Sequence, residues 1–215
     1  MLAKEIIARR VALELKDGDV VNLGIGLPTL VPLYLPAGVD ITLQSENGFL
    51  GMTALGGDPV PNLVNAGGQP CGLAPGGAFF DSAFSFALIR GGHVDVTVLG
   101  ALEVDCRGSL ANWMVPGKLV PGMGGAMDLV TGARRVIVAM EHCTKDGGSK
   151  VVPECTLPLT ARGRVHTIVT EQALFRVGAA GLVLEELGPG ATVESVRSST
   201  TAPFRLASTV RPMPV

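Results

Sequence analysis

Aromatic side chains are scarce. The 215 residues include one tryptophan, one tyrosine and seven phenylalanines, 4% in all. A stacking platform for bases or sugar rings needs more than that. Basic charge is not in excess either. Seventeen Lys+Arg against nineteen Asp+Glu give a formal charge of −2, which argues against a nucleic-acid or anionic-membrane surface. Cys71, Cys106, Cys143 and Cys155 form no Cys-x-x-Cys pair, so zinc-ribbon and thioredoxin-like readings lose support. His93, His142 and His166 are scattered, and His142-Cys143 with Cys155 matches no zinc spacing, so no metal site is expected. No apolar run reaches 18 residues, and MLAKEIIARRVALELKDGD lacks the uninterrupted apolar core of a signal peptide. The expectation is a cytoplasmic chain with reduced thiols and no transmembrane helix.

What the chain has in abundance is glycine, 29 residues, together with 15 prolines. There is no Gly-X-Y period, and the segments between glycines are too hydrophobic for a linker. At 47% apolar and 17% charged, the chain can bury a large core. No linker or internal repeat divides residues 1–215, so a single domain is expected.

Periodicity outlines that domain. Ile6, Ile7, Val11 and Leu15 recur at helical spacing within residues 4–16 and predict an amphipathic helix. VVNLGIG (20–26) reads as a buried strand running into a glycine turn, with Pro28 opening a helix. ITLQS (41–45) is the next strand, and 49–63 reads as an irregular surface excursion. The glycines near Pro75 mark strand ends, and Asp81 caps a helix over 82–90 that Gly91-Gly92 stops. VDVTVLG (94–100) and RRVIVAME (134–141) are buried strands, residues 101–123 are loop and short pieces, and Gly124-Gly125 opens a short helix. VHTIVTE and GLVLEEL are late strands and TVESVRSST is a final helix; the tail, about 205–215, is extended or frayed. Glu185-Glu186 and Arg134-Arg135 read as surface or edge residues. Val/Ile/Leu-rich strands alternating with helices predict an α/β fold with a mainly parallel sheet covered on both faces. Ligands of such sheets sit beyond the carboxyl ends of the strands, where the glycine turns of this chain fall.

The sharpest motif is LQSENGFLG (43–51), in which Glu46 leaves a buried strand just before Asn47-Gly48. On pattern alone this is also how an ordinary solvated glutamate leaves a strand. The stretch resembles the glutamate signature of the family I 3-oxoacid CoA-transferases, in their B (beta) subunit. NLGIGLPTLVPLYLP (22–36), LVNAGGQPCG (63–72), SFALIRGGHVDVTVLGALEVD (85–105), LANWMVPGKLVPGMGGAMDLVTGARRVIVAMEHCTKDG (110–147) and CTLPLTA (155–161) resemble that subunit in the same order, from about residue 4 to about 204.

The resemblance implies an open three-layer α/β/α fold shared with some sugar-phosphate isomerases. It implies that Glu46 is the nucleophile of a ping-pong transfer of CoA between carboxylic acids, passing through a glutamyl-CoA thioester. It places Gly125 and Ala126, after Gly124, against the CoA thioester, where helix-start N–H groups would stabilise an oxyanion. CoA is then a substrate, and no cofactor is permanently bound. A separate A (alpha) subunit is implied, in an A2B2 assembly whose acid pocket closes at the A/B junction. Gly24-x-Gly26 reads as a turn beside the acyl site, since Pro28 and Thr29 stand where a dinucleotide fingerprint needs its third glycine. Asn47 and Gly48 either shape the Glu46 turn or touch substrate. The resemblance implies a lysine in the mitochondrial succinyl-CoA relatives where this chain has Gly68; NAGGQPCG resembles the bacterial acetate–acetoacetate type, and NWMVPGK resembles the acetoacetate enzymes more than the 3-oxoadipate ones. A beta subunit of a succinyl-CoA:3-oxoacid transferase and a non-catalytic CoA-binding subunit are the alternatives.

Overall fold

The computed structural model describes residues 1–53, 62–118 and 122–215. The chain opens with α1 (Ala3–Ala12), whose buried Ile6, Ile7 and Val11 form the expected apolar stripe. The helix stops at Ala12, short of the expected residue 16, and a turn covers Leu13 and Glu14. Next come β1 (Val20–Leu23), a 3-10 helix (Leu27–Tyr34) with Pro28 in its first turn, β2 (Thr42–Ser45), β3 (Phe49–Thr53), β4 (Gly72–Phe79) and α2 (Ser82–Arg90). The Asp81 carboxylate accepts from the Phe84 N–H and caps α2 as expected. β5 (Val96–Leu99), β6 (Glu103–Asp105), β7 (Leu110–Ala111), α3 (Ala126–Gly132), β8 (Arg135–Ala139) and β9 (Val151–Val152) follow. The chain then forms β10 (Thr167–Val169), β11 (Ala173–Gly178), β12 (Gly181–Leu187), α4 (Val193–Ser199) and β13 (Phe204–Pro212).

Among the described residues these strands build one large sheet, ordered β13-β12-β11-β10-β8-β5-β1-β2-β3-β4, and a small sheet, β7-β6-β9. Neighbours from β2 through β1, β5 and β8 to β10 run parallel. Hairpins add β3 and β4 at one end and β11 and β12 at the other, all antiparallel, and β13 returns parallel to β12. The fold is therefore α/β with a mostly parallel mixed sheet.

Alternation along the strands sorts the core into two faces. Val96, Val98, Ile137 and Ala139 pack with Ile7, Val11 and Val31, under α1 and the 3-10 helix. Val136, Val138, Ile168 and Phe175 pack with Ile89, Leu129, Val130 and Val196, under α2, α3 and α4. The result is three layers with the sheet in the middle.

Several expectations need correction. Residues 49–53 are a strand paired with β2, not an irregular excursion; residues 54–61 of that stretch lie outside the described part. Pro75, Gly76 and Gly77 sit inside β4 rather than at strand ends. β4 ends the sheet order, and an edge strand tolerates proline because one side of it needs no partner. β11 has no counterpart in the periodicity of the sequence. The tail is extended but not frayed over 204–212, since β13 is hydrogen-bonded along β12. Glu186 is not a surface residue: it is 4% exposed and receives the Arg10 guanidinium.

Candidate functional site

β1 and β2 are adjacent and parallel, with Asn22 opposite Gln44. Their carboxyl ends open into two tight turns side by side. One is Gly24-Ile25-Gly26. The other is Glu46-Asn47-Gly48, the loop of the β2–β3 hairpin, closed by the Gly48 N–H donating to the Ser45 carbonyl at 3.0 Å. Gly48 is the position that demands glycine. Its φ is +129°, and a Cβ there would collide with the Phe80 carbonyl oxygen. The glycine lets β4 and the start of α2 close over the turn, and it fixes where Glu46 emerges.

Glu46 is half-buried. The Asn22 side-chain amide donates from Nδ2 to Glu46 Oε2 at 3.1 Å and to Gln44 Oε1 at 2.6 Å. Gln44 Nε2 in turn donates to Ser85 Oγ on α2 at 3.0 Å. On the other side stands Gly125, the residue capping α3. A Cβ at Gly125 would lie 3.3 Å from Glu46 Cγ, 3.4 Å from Oε1 and 3.5 Å from Phe86 Cε1. Glycine is thus what allows the α3 cap to press against the carboxylate.

The remaining sequence-predicted residues separate by what their polar atoms already do. The Gly24 N–H donates to the Val98 carbonyl at 2.8 Å, and a Cβ would press on Val98 and Leu99, so Gly24 seals β1 onto β5. Gly26, at φ +86°, starts the 3-10 helix, and its carbonyl accepts from the Thr29 N–H and hydroxyl. Asn47 is exposed, but its amide is occupied: Oδ1 accepts from Ser45 Oγ and Nδ2 donates to the Val64 carbonyl. It ties the 64–69 loop to the Glu46 turn, which favours the turn-shaping reading over substrate contact. The Ala126 N–H donates to the Met123 carbonyl at 3.2 Å and is not free. The Gly125 N–H has no acceptor among the described residues. Gly124 takes φ +51° and turns the chain into the helix cap.

The cleft beside Glu46 is small, about 40 Å³, and is lined by Gly24, Ile25, Ser45, Asn65 and Gly67 among others. A larger cavity of about 590 Å³ opens past the ends of β5 and β8, between Leu27, Ala101, Met140 and Lys150. Burial pushes the Lys150 ammonium below the ordinary lysine value. Glu46 does not line that larger cavity. Convergent polar groups rather than volume therefore single out the Glu46 cleft.

Comparison with known proteins decides the family. Residues 4–199 match the family described as Coenzyme A transferase. The chain belongs to the coenzyme A transferase family. It is 62% identical over 218 aligned positions to the beta subunit of the acetate CoA-transferase of Haemophilus influenzae, covering 100% of this chain and 97% of that one. It is 52% identical over 205 positions to the B subunit of the succinyl-CoA:3-ketoacid coenzyme A transferase of Helicobacter pylori, covering 94% and 99%. Among solved structures, the acyl-CoA transferase YdiF of Escherichia coli O157:H7 superposes with a TM-score of 0.82 at 22% identity. That match covers 99% of this chain but 43% of YdiF, so the chain corresponds to under half of that longer protein and shares its fold over that part.

Asn22, which contacts Glu46, is the residue of this cluster that the sequence reading did not single out. A lone polar residue in an apolar strand does not reveal what it faces. The usable signal was the pair: Asn22 and Gln44 are both polar in buried strands, each just before a turn at the strand's end.

Proposed function

We propose that this chain is the beta subunit of a cytoplasmic short-chain acid CoA-transferase of the acetate or butyrate–acetoacetate type, and that it carries CoA as a thioester on Glu46. The observation that carries the reading is Glu46 itself. It is a carboxylate at the carboxyl edge of the sheet, held by the Asn22 amide on one side and by a glycine helix cap on the other.

The chemistry follows from a carboxylate nucleophile. Glu46 attacks the acyl-CoA thioester, the C–S bond breaks, and an acyl-glutamyl anhydride forms with release of CoA thiolate. The thiolate attacks the glutamyl carbonyl of the anhydride, giving glutamyl-CoA and the first free acid. The second acid attacks glutamyl-CoA to regenerate an anhydride and thiolate. The thiolate then takes the new acyl group, and Glu46 is restored as a carboxylate. Every step passes through a tetrahedral oxyanion. Asn22 Nδ2 and the Gly125 N–H are the donors available to it, and a well-aimed donor contributes about 3 kcal/mol. Because the Ala126 N–H is bound to Met123, the backbone role is assigned to Gly125.

Two features support the finer assignment. Gly68 takes φ +75° in the Asn65–Gln69 loop, with nothing within 4 Å of a Cβ, so no side-chain cation stands at the position where the resemblance implies a lysine in mitochondrial succinyl-CoA transferases. A monocarboxylate suits that better than a dicarboxylate. Exposed apolar side chains occur at the cleft and on the neighbouring β4 and α2: Ile25, which lines the cleft, is 73% exposed, Phe79 of β4 58% and Phe84 of α2 54%. Apolar groups beside a cleft fit a covering partner, here an alpha subunit in an A2B2 assembly.

The test is acceptor dependence. This chain, co-expressed with an alpha-type subunit, is mixed with acetoacetyl-CoA with and without acetate. Acetyl-CoA should appear in step with free acetoacetate, only when acetate is present, and Glu46→Ala should abolish it. Release of free CoA without an acid acceptor would make the protein a hydrolase instead.

A further inference from the structure

The contact between Asn22 and Glu46 has a buried support. Asn22 and Gln44 are each 1% exposed and Ser85 is fully buried, on the face of the sheet that α2 covers. Burying polar groups there is costly unless they are hydrogen-bonded. The Asn22 Nδ2 group has two hydrogens and three acceptors around it: Gln44 Oε1 at 2.6 Å, Glu46 Oε2 at 3.1 Å and, more distantly, the Gln44 backbone carbonyl at 3.3 Å. Its Oδ1 has no partner among the described residues, and neither does the buried Thr97 hydroxyl at the paired position on β5. Nothing on the Thr97 side therefore holds the Asn22 amide in its orientation.

A side-chain amide can sit either way round. Turned over, Asn22 would set Oδ1 against three acceptors, Gln44 Oε1, the Glu46 carboxylate and the more distant Gln44 backbone carbonyl, and the donor would leave the reacting carbon. The Gln44 side chain makes the shortest of these contacts while its own Oε1 faces Asn22. It does so because its Nε2 is engaged by Ser85 Oγ at 3.0 Å. Three elements thus meet in one chain of contacts: Ser85 on α2, Gln44 on β2 and Asn22 on β1.

We propose that Gln44, held by Ser85, is a positioning residue that locks the Asn22 amide with its NH2 toward Glu46. This rests on the reading of Glu46 as the CoA carrier. The oxygen that Glu46 keeps through the cycle is an acceptor as carboxylate, anhydride, thioester and tetrahedral oxyanion alike. A donor fixed beside it serves the two steps in which the glutamyl carbon becomes tetrahedral, where charge develops on that oxygen. The lock acts on the chemical step and not on capture of CoA.

The experiment is a double-mutant cycle in the co-expressed alpha/beta enzyme, read as kcat and KM for acetoacetyl-CoA with acetate as acceptor. Gln44→Met keeps length and volume but removes both polar ends. It should lower kcat about tenfold or more and leave KM within about twofold. Asn22→Ala should lower kcat by a similar or larger factor. Adding Gln44→Met to Asn22→Ala should cost less than about twofold further, because the lock then has nothing to hold. An unchanged kcat in Gln44→Met, or effects that multiply independently, would overturn the proposal. Should Gln44→Met fail to fold, Ser85 reads the same lock from the helix. Ser85→Ala should lower kcat at constant KM while Ser85→Thr, which keeps the hydroxyl, retains it; equal rates in the two variants would also overturn it. A Glu46→Ala enzyme that stays active removes the underlying reading, whereas a CoA adduct on Glu46 with an additive cycle removes only the lock.

Discussion

Glu46 is caught between a donor and a wall, and each asks something of one residue. Asn22 supplies the donor. Gly125 supplies the wall, and its missing side chain sets the distance. A methyl group there would stand 3.3 Å from Glu46 Cγ, tighter than ordinary contact, so Glu46 would have to rotate away from Asn22. Gly125→Ala should therefore lower kcat about tenfold with little change in melting temperature, since a small displacement at a reacting group is costly. Equal kcat in Gly125→Ala and the parent would show that the cap does not set the carboxylate's position. Glu46 was singled out by the resemblance of LQSENGFLG, since on pattern alone a charge at a buried strand's end also reads as an ordinary solvated glutamate. Asn22 was not, because only the strand register brings it beside Gln44 and Glu46. The loss of the Ala126 N–H to Met123 was equally hidden, since a helix start reads the same whether or not its amides are taken.

At the scale of elements, α1 is fastened to the far side of the sheet by charge. Arg10 pairs with Glu14 and with buried Glu186 of β12, and Arg176 of β11 pairs with Glu14 and Glu185. Burial alone would raise the Glu14 pKa, but Arg176 and Arg10 overcome it and hold the carboxyl below its ordinary value. A carboxyl lowered in the folded state stabilises the fold above the unfolded value of about 4.3. That contribution is lost as pH falls through the lower folded value. Thermal denaturation should show melting temperature falling below about pH 4 in the parent and falling less steeply in Glu14→Gln. Glu186→Ala, which leaves buried Arg10 with Glu14 as its remaining carboxylate, should cost about 1–3 kcal/mol at neutral pH. A flat acid limb in the parent would contradict the network's role. The central parallel strands were readable as apolar β-branched runs. The flanking hairpins were not: FLGMT carries a glycine and ALFRVG an arginine, so neither shows a continuous apolar run. GLVLEEL hid a buried glutamate because its arginine partner lies 176 positions away.

For the whole molecule, the strands' carboxyl edge gathers the Glu46 turn, the Gly24–Gly26 turn and the exposed Ile25 into one open surface. A closed active site needs that surface covered, so the chain alone should bind CoA yet fail to turn over, and adding an alpha-type subunit should restore transfer. Full activity of the isolated chain would contradict this. The three-layer fold was visible in the alternation of strands and helices, while the antiparallel ends and the return of β13 depend on long-range pairing that local pattern does not encode. The most direct test of the account is the mass of Glu46 itself. The alpha/beta enzyme is incubated with acetoacetyl-CoA and no acceptor acid, then analysed by intact-mass and peptide mass spectrometry. CoA attached at Glu46 on the peptide holding LQSENGFLG, discharged by added acetate and absent in Glu46→Ala, is the expected result. Bound CoA with no covalent adduct on that peptide would contradict the account.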